Sequence, residues 1–171
     1  MRRLAAVLVL IAPLLSFQLF ASGCAKTPED AKRAYKNGDY KTAYKVLKPF
    51  AEKGDPDSQF LLGEIYKRGH GVPQDDAMAM NWYRRAAWQG QPNAQNNLGI
   101  LYFRSQAMKP DYVQAHVWLN IAASNLPVAK ERETAVKNRD LIAAFMTPSQ
   151  IAEAEKSARE WKPKMEQKRE R

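Results

Sequence analysis

The stretch LGEIYKRGHGVPQDDAMAMNWYRRAAWQG, residues 62–90, decides the fold. Shifted forward by 36 residues, it falls on a second copy of itself: Leu62 on Leu98, Gly63 on Gly99, Tyr66 on Tyr102, Asp75 on Asp111, Ala79 on Ala115, Trp82 on Trp118, and Ala86-Ala87 on Ala122-Ala123. Gln59 and Gln95 extend the register upstream. A third copy shows in its second half, where Asp39, Ala43, Ala51 and Gly54 precede Asp75, Ala79, Ala87 and Gly90 by the same interval. A fixed period of this length is the signature of stacked units that bury a continuous core between neighbours.

Each unit reads as a pair of helices. In the first helix Leu62, Gly63 and Tyr66 share a face; in the second, Ala79, Trp82 and Ala86 do. Glycine inside a helix costs about 1 kcal/mol relative to alanine, so Gly63 is expected where a neighbouring backbone packs closely. Pro28, Pro56, Pro92 and Pro148 suit first helical positions behind Thr27, Asp55, Gln91 and Thr147. Thr147 to Gln150 is a capping box, and Asp39, Asp75 and Asp111 can cap the second helices. Two more helices are predicted after the repeats, over 128–146 and 148–161. Leu141, Ile142, Phe145, Ile151, Ala154 and Trp161 are expected to cover the apolar end of the array.

The residues Leu-Gly-x-x-Tyr, Gly-x-Gly-Val-x-x-Asp, Ala-x-x-Trp-Tyr-x-x-Ala-Ala and Gln-Gly, as they stand in 62–91, resemble the Sel-one-like repeat (SLR), a relative of the tetratricopeptide repeat (TPR). The copy at 93–125 keeps both helices but replaces Gly69, Gly71 and Val72 by Ser105, Ala107 and Met108, so its loop is expected to differ. The unit at 29–53 looks closer to a plain TPR with a shorter loop. The expected fold is all-α, an α-solenoid of three two-helix SLR/TPR-like repeats over 28–126, with two C-terminal capping helices over 127–162 and a charged, frayed tail over 163–171.

The N-terminus speaks to compartment. Arg2 and Arg3 precede an uncharged apolar run at 4–20, and Ala21-Ser22-Gly23 supplies small residues before Cys24, the chain's single cysteine. This is an export-signal pattern. A membrane-spanning helix is the rival; the run is short against the roughly 20 apolar residues a bilayer needs and contains Pro13. The junction resembles a bacterial lipobox, with Ala21 where leucine is commoner. That resemblance implies a signal peptide at 1–23, lipidation of Cys24 and a linker at 24–27. With Ala25 next to the cysteine rather than an aspartate, it leans towards an outer-membrane anchor facing the periplasm. Ordinary signal cleavage, leaving a free thiol, is the alternative. One cysteine excludes an intramolecular disulfide framework.

No catalytic, metal or cofactor motif is found: no Gly-x-Ser-x-Gly, no Ser-x-x-Lys, no Cys-x-x-Cys, no His-Glu-x-x-His and no phosphate-cradling loop. His70 and His116 have no metal-ligating partner at helical spacing and read as ordinary surface or packed histidines. The chain has 27 Lys and Arg against 18 Asp and Glu, a net charge of +9. Such an excess could suit nucleic acid, but export argues against that partner. The basic residues of the last helix and tail, Lys156, Arg159, Lys162, Lys164, Lys168 and Arg169, could touch anionic lipid or polysaccharide, but they alternate with glutamates as on a solvated face.

A partner is expected on the concave wall made by the first helix of each unit. If Leu62, Gly63 and Tyr66 face inward, then Phe60, Glu64, Lys67 and Arg68 face the groove, as do Asn96, Ile100, Phe103 and Arg104 in the next unit and Lys32, Tyr35 and Lys36 in the first. Amides that bond an extended backbone and cations that pair carboxylates point to an acidic peptide or protein tail. The resemblance implies an adaptor that assembles or regulates envelope proteins, without catalysis. A cell-envelope hydrolase and a carbohydrate-binding accessory protein are the alternatives; the oligomeric state stays open.

Overall fold

The computed structural model describes residues 26–104 and 109–164. Among these, all regular structure is helical. The elements are α1 (Pro28–Lys36), α2 (Tyr40–Glu52), α3 (Pro56–Arg68), α4 (Asp76–Trp88), α5 (Pro92–Arg104), α6 (Tyr112–Asn125), α7 (Ala129–Ala143) and α8 (Pro148–Glu160). Residues 1–25, where the expected signal peptide and Cys24 fall, lie outside the described residues, as do residues 105–108 and 165–171.

Side chains named by the sequence pattern set the helix starts. Asp39, Asp55, Asp75 and Asp111 each accept the backbone N–H three residues on, and Gln91 Oε1 accepts from Ala94 N at 2.7 Å. Thr147 and Gln150 close a full capping box, and so do Thr27 and Asp30. Each such cap satisfies an otherwise orphaned donor and contributes about 1 kcal/mol. Gly69 and Gly71 adopt φ of +66° and +76°, the left-handed region that disfavours side chains. The corresponding Ser105 and Ala107 fall in the segment outside the described residues. The helices flanking that segment are intact, and its far end is held alike: Asp75 N donates to Tyr66 O, and Asp111 N to Tyr102 O, each at 3.0 Å.

Helices pair in sequence order, α1 with α2, α3 with α4 and α5 with α6, and each pair stacks on the next through α2–α3 and α4–α5. First helices also meet one another, α3 with α5 and α5 with α7.

Gly63 and Gly99 permit the tightest approaches, but not by one mechanism. A Cβ on Gly99 would lie 2.8 Å from Leu119 Cγ and 3.1 Å from Ala115 O, so the α6 backbone does pack there. A Cβ on Gly63 would lie 2.5 Å from the Tyr83 ring. At that position an aromatic face, not a backbone, occupies the space.

A polar stitch repeats with the period. Gln59 Nε2 donates to Ala51 O at 3.0 Å, and Gln95 Nε2 to Ala87 O at 3.2 Å. Gln59 Oε1 accepts from Gln89 at 2.8 Å, and Gln95 Oε1 from Asn125 at 3.1 Å. Both glutamines are fully buried. Each ties the preceding second helix to the end of its own unit's second helix.

The C-terminal helices divide the work differently from expectation. α7 packs on α6 and α5 as a further first helix would. It buries Ala135 and Ile142 but leaves Leu141, and Phe145 just beyond its end, half exposed, at 52% and 55%. They stand beside the first-helix face rather than under a cap. α8 turns back along α6, where Ala154, Ala158 and Trp161 join the central core with Trp118. It does so because α7 already covers the end, and the apolar ground still open to α8 is the outer side of α6. Residues 162–164 are not frayed: Lys164 N donates to Trp88 O at 2.8 Å, and its ammonium sits over the Trp88 ring at 5.0 Å.

Candidate functional site

The groove residues do not form one continuous lining. They gather into two clusters, and several of their charges are taken up internally.

The first cluster centres on Glu64. The sequence pattern sets it towards the groove, yet it is 8% exposed. Its carboxylate accepts from Tyr83 Oη at 2.6 Å, Asn97 Nδ2 at 2.7 Å and Arg68 at 2.8 Å. Three charge-assisted donors offset the cost of burying an anion. Burial and the neighbouring carboxylate push the Tyr83 hydroxyl strongly upward, so it stays a donor. Tyr83 is the residue that sequence reasoning overlooked. It is 1% exposed, and its only signal was a place beside Trp82 in the repeat pattern.

Asn96 extends this network outward. Its Nδ2 donates to Asn97 Oδ1 at 3.2 Å, while its own Oδ1 is buried with no partner. Tyr35 Oη is likewise buried without a partner. Burial first, and then the charge of Glu64, hold the Tyr35 hydroxyl above its ordinary range. α3 and α5 thus share a hydrogen-bond chain that ends in one unpartnered acceptor, and α1 sets one unpartnered hydroxyl near it.

The second cluster is apolar. Ile100, Phe103 and Arg104 of α5 meet Asn138, Leu141 and Ile142 of α7 around a small recess of about 60 Å³. Phe103, Tyr112 and Phe145 form a ring cluster with centroids 5.3–6.1 Å apart. Leu141 and Phe145 therefore extend the first-helix face by one helix.

The remaining candidates are spent elsewhere. Lys32 pairs with Asp57 at 3.0 Å and Glu29 at 3.1 Å. Lys67 pairs with Asp76 at the start of α4, at 3.0 Å. Phe60 is half-buried, with its ring 6.0 Å from that of Tyr83. Among the described residues Lys36 and Arg104 are exposed and carry no ion pair. The groove is thus less cationic than its sequence suggests, because Asp57 and Asp76 of adjoining helices neutralise Lys32 and Lys67, and Glu64 of the same helix pairs with Arg68.

The other singled-out residues are structural. Trp82, Ala86 and Ala87 are core. Tyr66 is half-buried and shares a 3.0 Å hydrogen bond with Tyr44; burial and that bond push it up to about 12. His70 stacks on Tyr40, with ring centroids 3.9 Å apart. His116 is 3% exposed, and burial together with the nearby Arg139 holds its pKa below the usual value. Among the described residues no group of three or more His, Cys, Asp or Glu could hold a metal, and no helix is long and apolar enough to cross a membrane.

Comparison with known proteins agrees with this architecture. The Sel1 repeat model matches residues 56–91 and 92–125. An exopolysaccharide production negative regulator of Rhizobium leguminosarum bv. viciae is 40% identical over 57 residues, which are 33% of this chain and 21% of that protein. The match therefore spans about a fifth of the relative's length. A protective antigen of uropathogenic Escherichia coli strains displaying an SLR fold superposes with a TM-score of 0.70 and 28% identity, over 78% of this chain and 28% of its own. A Sel1 repeat protein from Oxalobacter formigenes gives 0.61 and 26% identity, over 80% of this chain and 56% of its own. Sel1 repeats generally mediate protein binding, and the fold is typically a non-catalytic scaffold. Residues 56–125 thus carry two matches to the Sel1 repeat, set here between an N-terminal helix pair and two further C-terminal helices.

Proposed function

We propose that this chain is an adaptor of the cell envelope, anchored by lipid at Cys24, that holds a peptide segment of a partner protein along α1, α3, α5 and α7. The observation that carries the binding reading is the pair of unpartnered polar atoms, Tyr35 Oη and Asn96 Oδ1; Asn96 is bonded through Asn97 to Glu64, whose charge also acts on Tyr35. Buried polar groups without partners are few in native proteins and call for an explanation. A peptide backbone supplies both an N–H for Asn96 and a carbonyl for Tyr35. Beside them, the recess between Phe103 and Leu141 suits one apolar side chain, and Lys36 and Arg104 favour acidic neighbours. The lipid anchor and the envelope location rest on the sequence pattern around Cys24 and on nothing else.

Photo-crosslinking in cells tests the binding. A probe replaces Phe103, and a control probe replaces Asn81, an exposed residue of α4. One dominant protein captured through Phe103 alone is the expected result. Equal capture at both positions, or none, would remove the groove as the binding surface. Labelling with radioactive palmitate, lost in Cys24→Ala, tests the anchor separately.

A further inference from the structure

A larger cavity lies away from the groove and shares none of its residues. It has a volume of about 590 Å³ and sits among the α4–α5 turn, the C-terminal half of α6 and the end of α8. Its polar wall comprises Gln89, Asn120, Ser124, Asn125 and Arg159; Ile121, Ala158 and Trp161 supply the apolar surface. Pockets that hold small ligands span about 300–1,000 Å³ and combine apolar or aromatic walls with a few placed polar groups.

The hydrogen bonds already made leave a definite set of free groups. Asn120 Oδ1 accepts from Arg139 at 3.1 Å, which leaves its Nδ2. Asn125 Nδ2 donates to Gln95, which leaves its Oδ1. Gln89 Nε2 is shared between Gly54 O and Gln59, which leaves its Oε1. Ser124 Oγ donates to Asn120 O and keeps its lone pairs. These amide orientations follow from the bonds they make. The cavity therefore offers a donor and several acceptors in close succession, beside an indole and small apolar surface. Hydroxyl groups both donate and accept, and the C–H faces of a pyranose ring lie well against an aromatic ring. An apolar ligand would strand these amides, at about 1–3 kcal/mol for each group left unpaired. Arg159 adds a cation; its side chain is 67% exposed, and the nearest carboxylate, Glu155, is 3.7 Å away. That distance leaves the guanidinium free to pair a second acid.

We infer that this cavity is a saccharide-binding site, shaped for one or two sugar units with a preference for a sugar carrying a carboxylate. It operates independently of the peptide groove.

The test uses the full chain with two defined probes, tri-galacturonate and the uncharged maltotriose, read by saturation-transfer NMR and by quenching of tryptophan fluorescence. Saturation transfer to tri-galacturonate, with at least tenfold tighter binding than maltotriose, is expected. Ser124 is exposed, so Ser124→Tyr fills the cavity at little cost to folding and should weaken binding at least tenfold. Ser124→Gln serves if the tyrosine variant melts earlier. Arg159→Gln should erase the preference for the acidic sugar while retaining maltotriose binding, and Phe103→Ala should change neither affinity. Absence of transfer to both sugars, indifference to Ser124→Tyr, or loss in Phe103→Ala would each overturn the assignment. Because the groove and the cavity share no residue, either can fail without the other.

Discussion

Glu64 separates two views of the first-helix face. If it were a groove contact, its removal would weaken partner binding and spare the fold. The structure makes it an internal acceptor for Tyr83, Asn97 and Arg68. Glu64→Ala strands the Tyr83 hydroxyl, which is 1% exposed, and the half-buried Asn97 amide. Each stranded donor costs about 1–3 kcal/mol. Arg68 is 58% exposed and recovers water, so it adds little. The expected loss is about 2–6 kcal/mol from these two donors. Glu64→Gln keeps an oxygen for Tyr83 and Asn97 and loses only the charge assistance, about 1 kcal/mol. Tyr83→Phe removes one bond to a charged acceptor, about 1.5–3 kcal/mol. Urea unfolding of the single variants and the Glu64→Ala/Tyr83→Phe double variant, followed by far-ultraviolet circular dichroism, gives the coupling directly. A coupling of at least about 1.5 kcal/mol is expected. A coupling near zero, or equal stability of Glu64→Ala and Glu64→Gln, would refute the view of Glu64 as a buried structural acceptor.

Three further outcomes follow from the packing. Gly63→Ala forces its methyl into the Tyr83 ring and should destabilise by about 1–3 kcal/mol despite the gain in helix propensity; in the background of Tyr83→Ala the same change should be neutral or stabilising, as melting temperatures would show. Trp161→Ala removes the ring that seats α8 against Trp118, at 6.1 Å between centroids, and should cost about 2–4 kcal/mol with faster hydrogen exchange in α8 than in α5. The folded pKa of His116 lies below the ordinary histidine value of 6.5 because of burial, with Arg139 adding to the shift and Glu155 and Asp140 opposing it. The unfolded chain therefore binds the proton more readily. The stability His116 permits is complete above about pH 6.5 and falls as the pH drops towards the folded value, by up to about 1.4 kcal/mol per pH unit. Asp30 and Asp39, whose pKa values are lowered by hydrogen bonds from the Thr27 and Thr42 sites, lose their contribution only around and below the carboxylate value of 3.8. His116→Gln should accordingly flatten the dependence of melting temperature between about pH 7 and pH 5 and leave the steeper acid limb in place.

The repeat was legible because its signals are local and periodic. Asp39, Asp75 and Asp111 cap helices from positions fixed by 36-residue spacing, and Pro28, Pro56, Pro92 and Pro148 mark first turns where a missing N–H costs nothing. The lining of the site was less legible because its determinants lie far apart in sequence. Glu64 is buried by a tyrosine 19 residues away and an asparagine 33 residues away, which no helical face count reveals. Lys32 is neutralised by Asp57, 25 residues on. Gln59 and Gln95 carried a readable hint, since an identical polar residue in a core phase of two copies points to a buried amide with a fixed job. The return of α8 over α6 depends on which apolar ground the earlier helices leave open. Hydrophobicity supplies the glue for such a contact but no address.

The glutamine stitch has a consequence for what this architecture tolerates. Its bonds fasten helix bodies and helix ends, and the α3–α4 and α5–α6 connections each close through a backbone bond from an aspartate to a tyrosine carbonyl. Alignment of a unit is thereby settled without reference to the residues strung between the two helices. The chain already exploits this latitude, with Gly69-His70-Gly71-Val72 in one copy and Ser105-Gln106-Ala107-Met108 in the next. The connection between α5 and α6 is accordingly a natural graft point, where a reporter or a foreign epitope can be spliced in while the flanking helices keep their places.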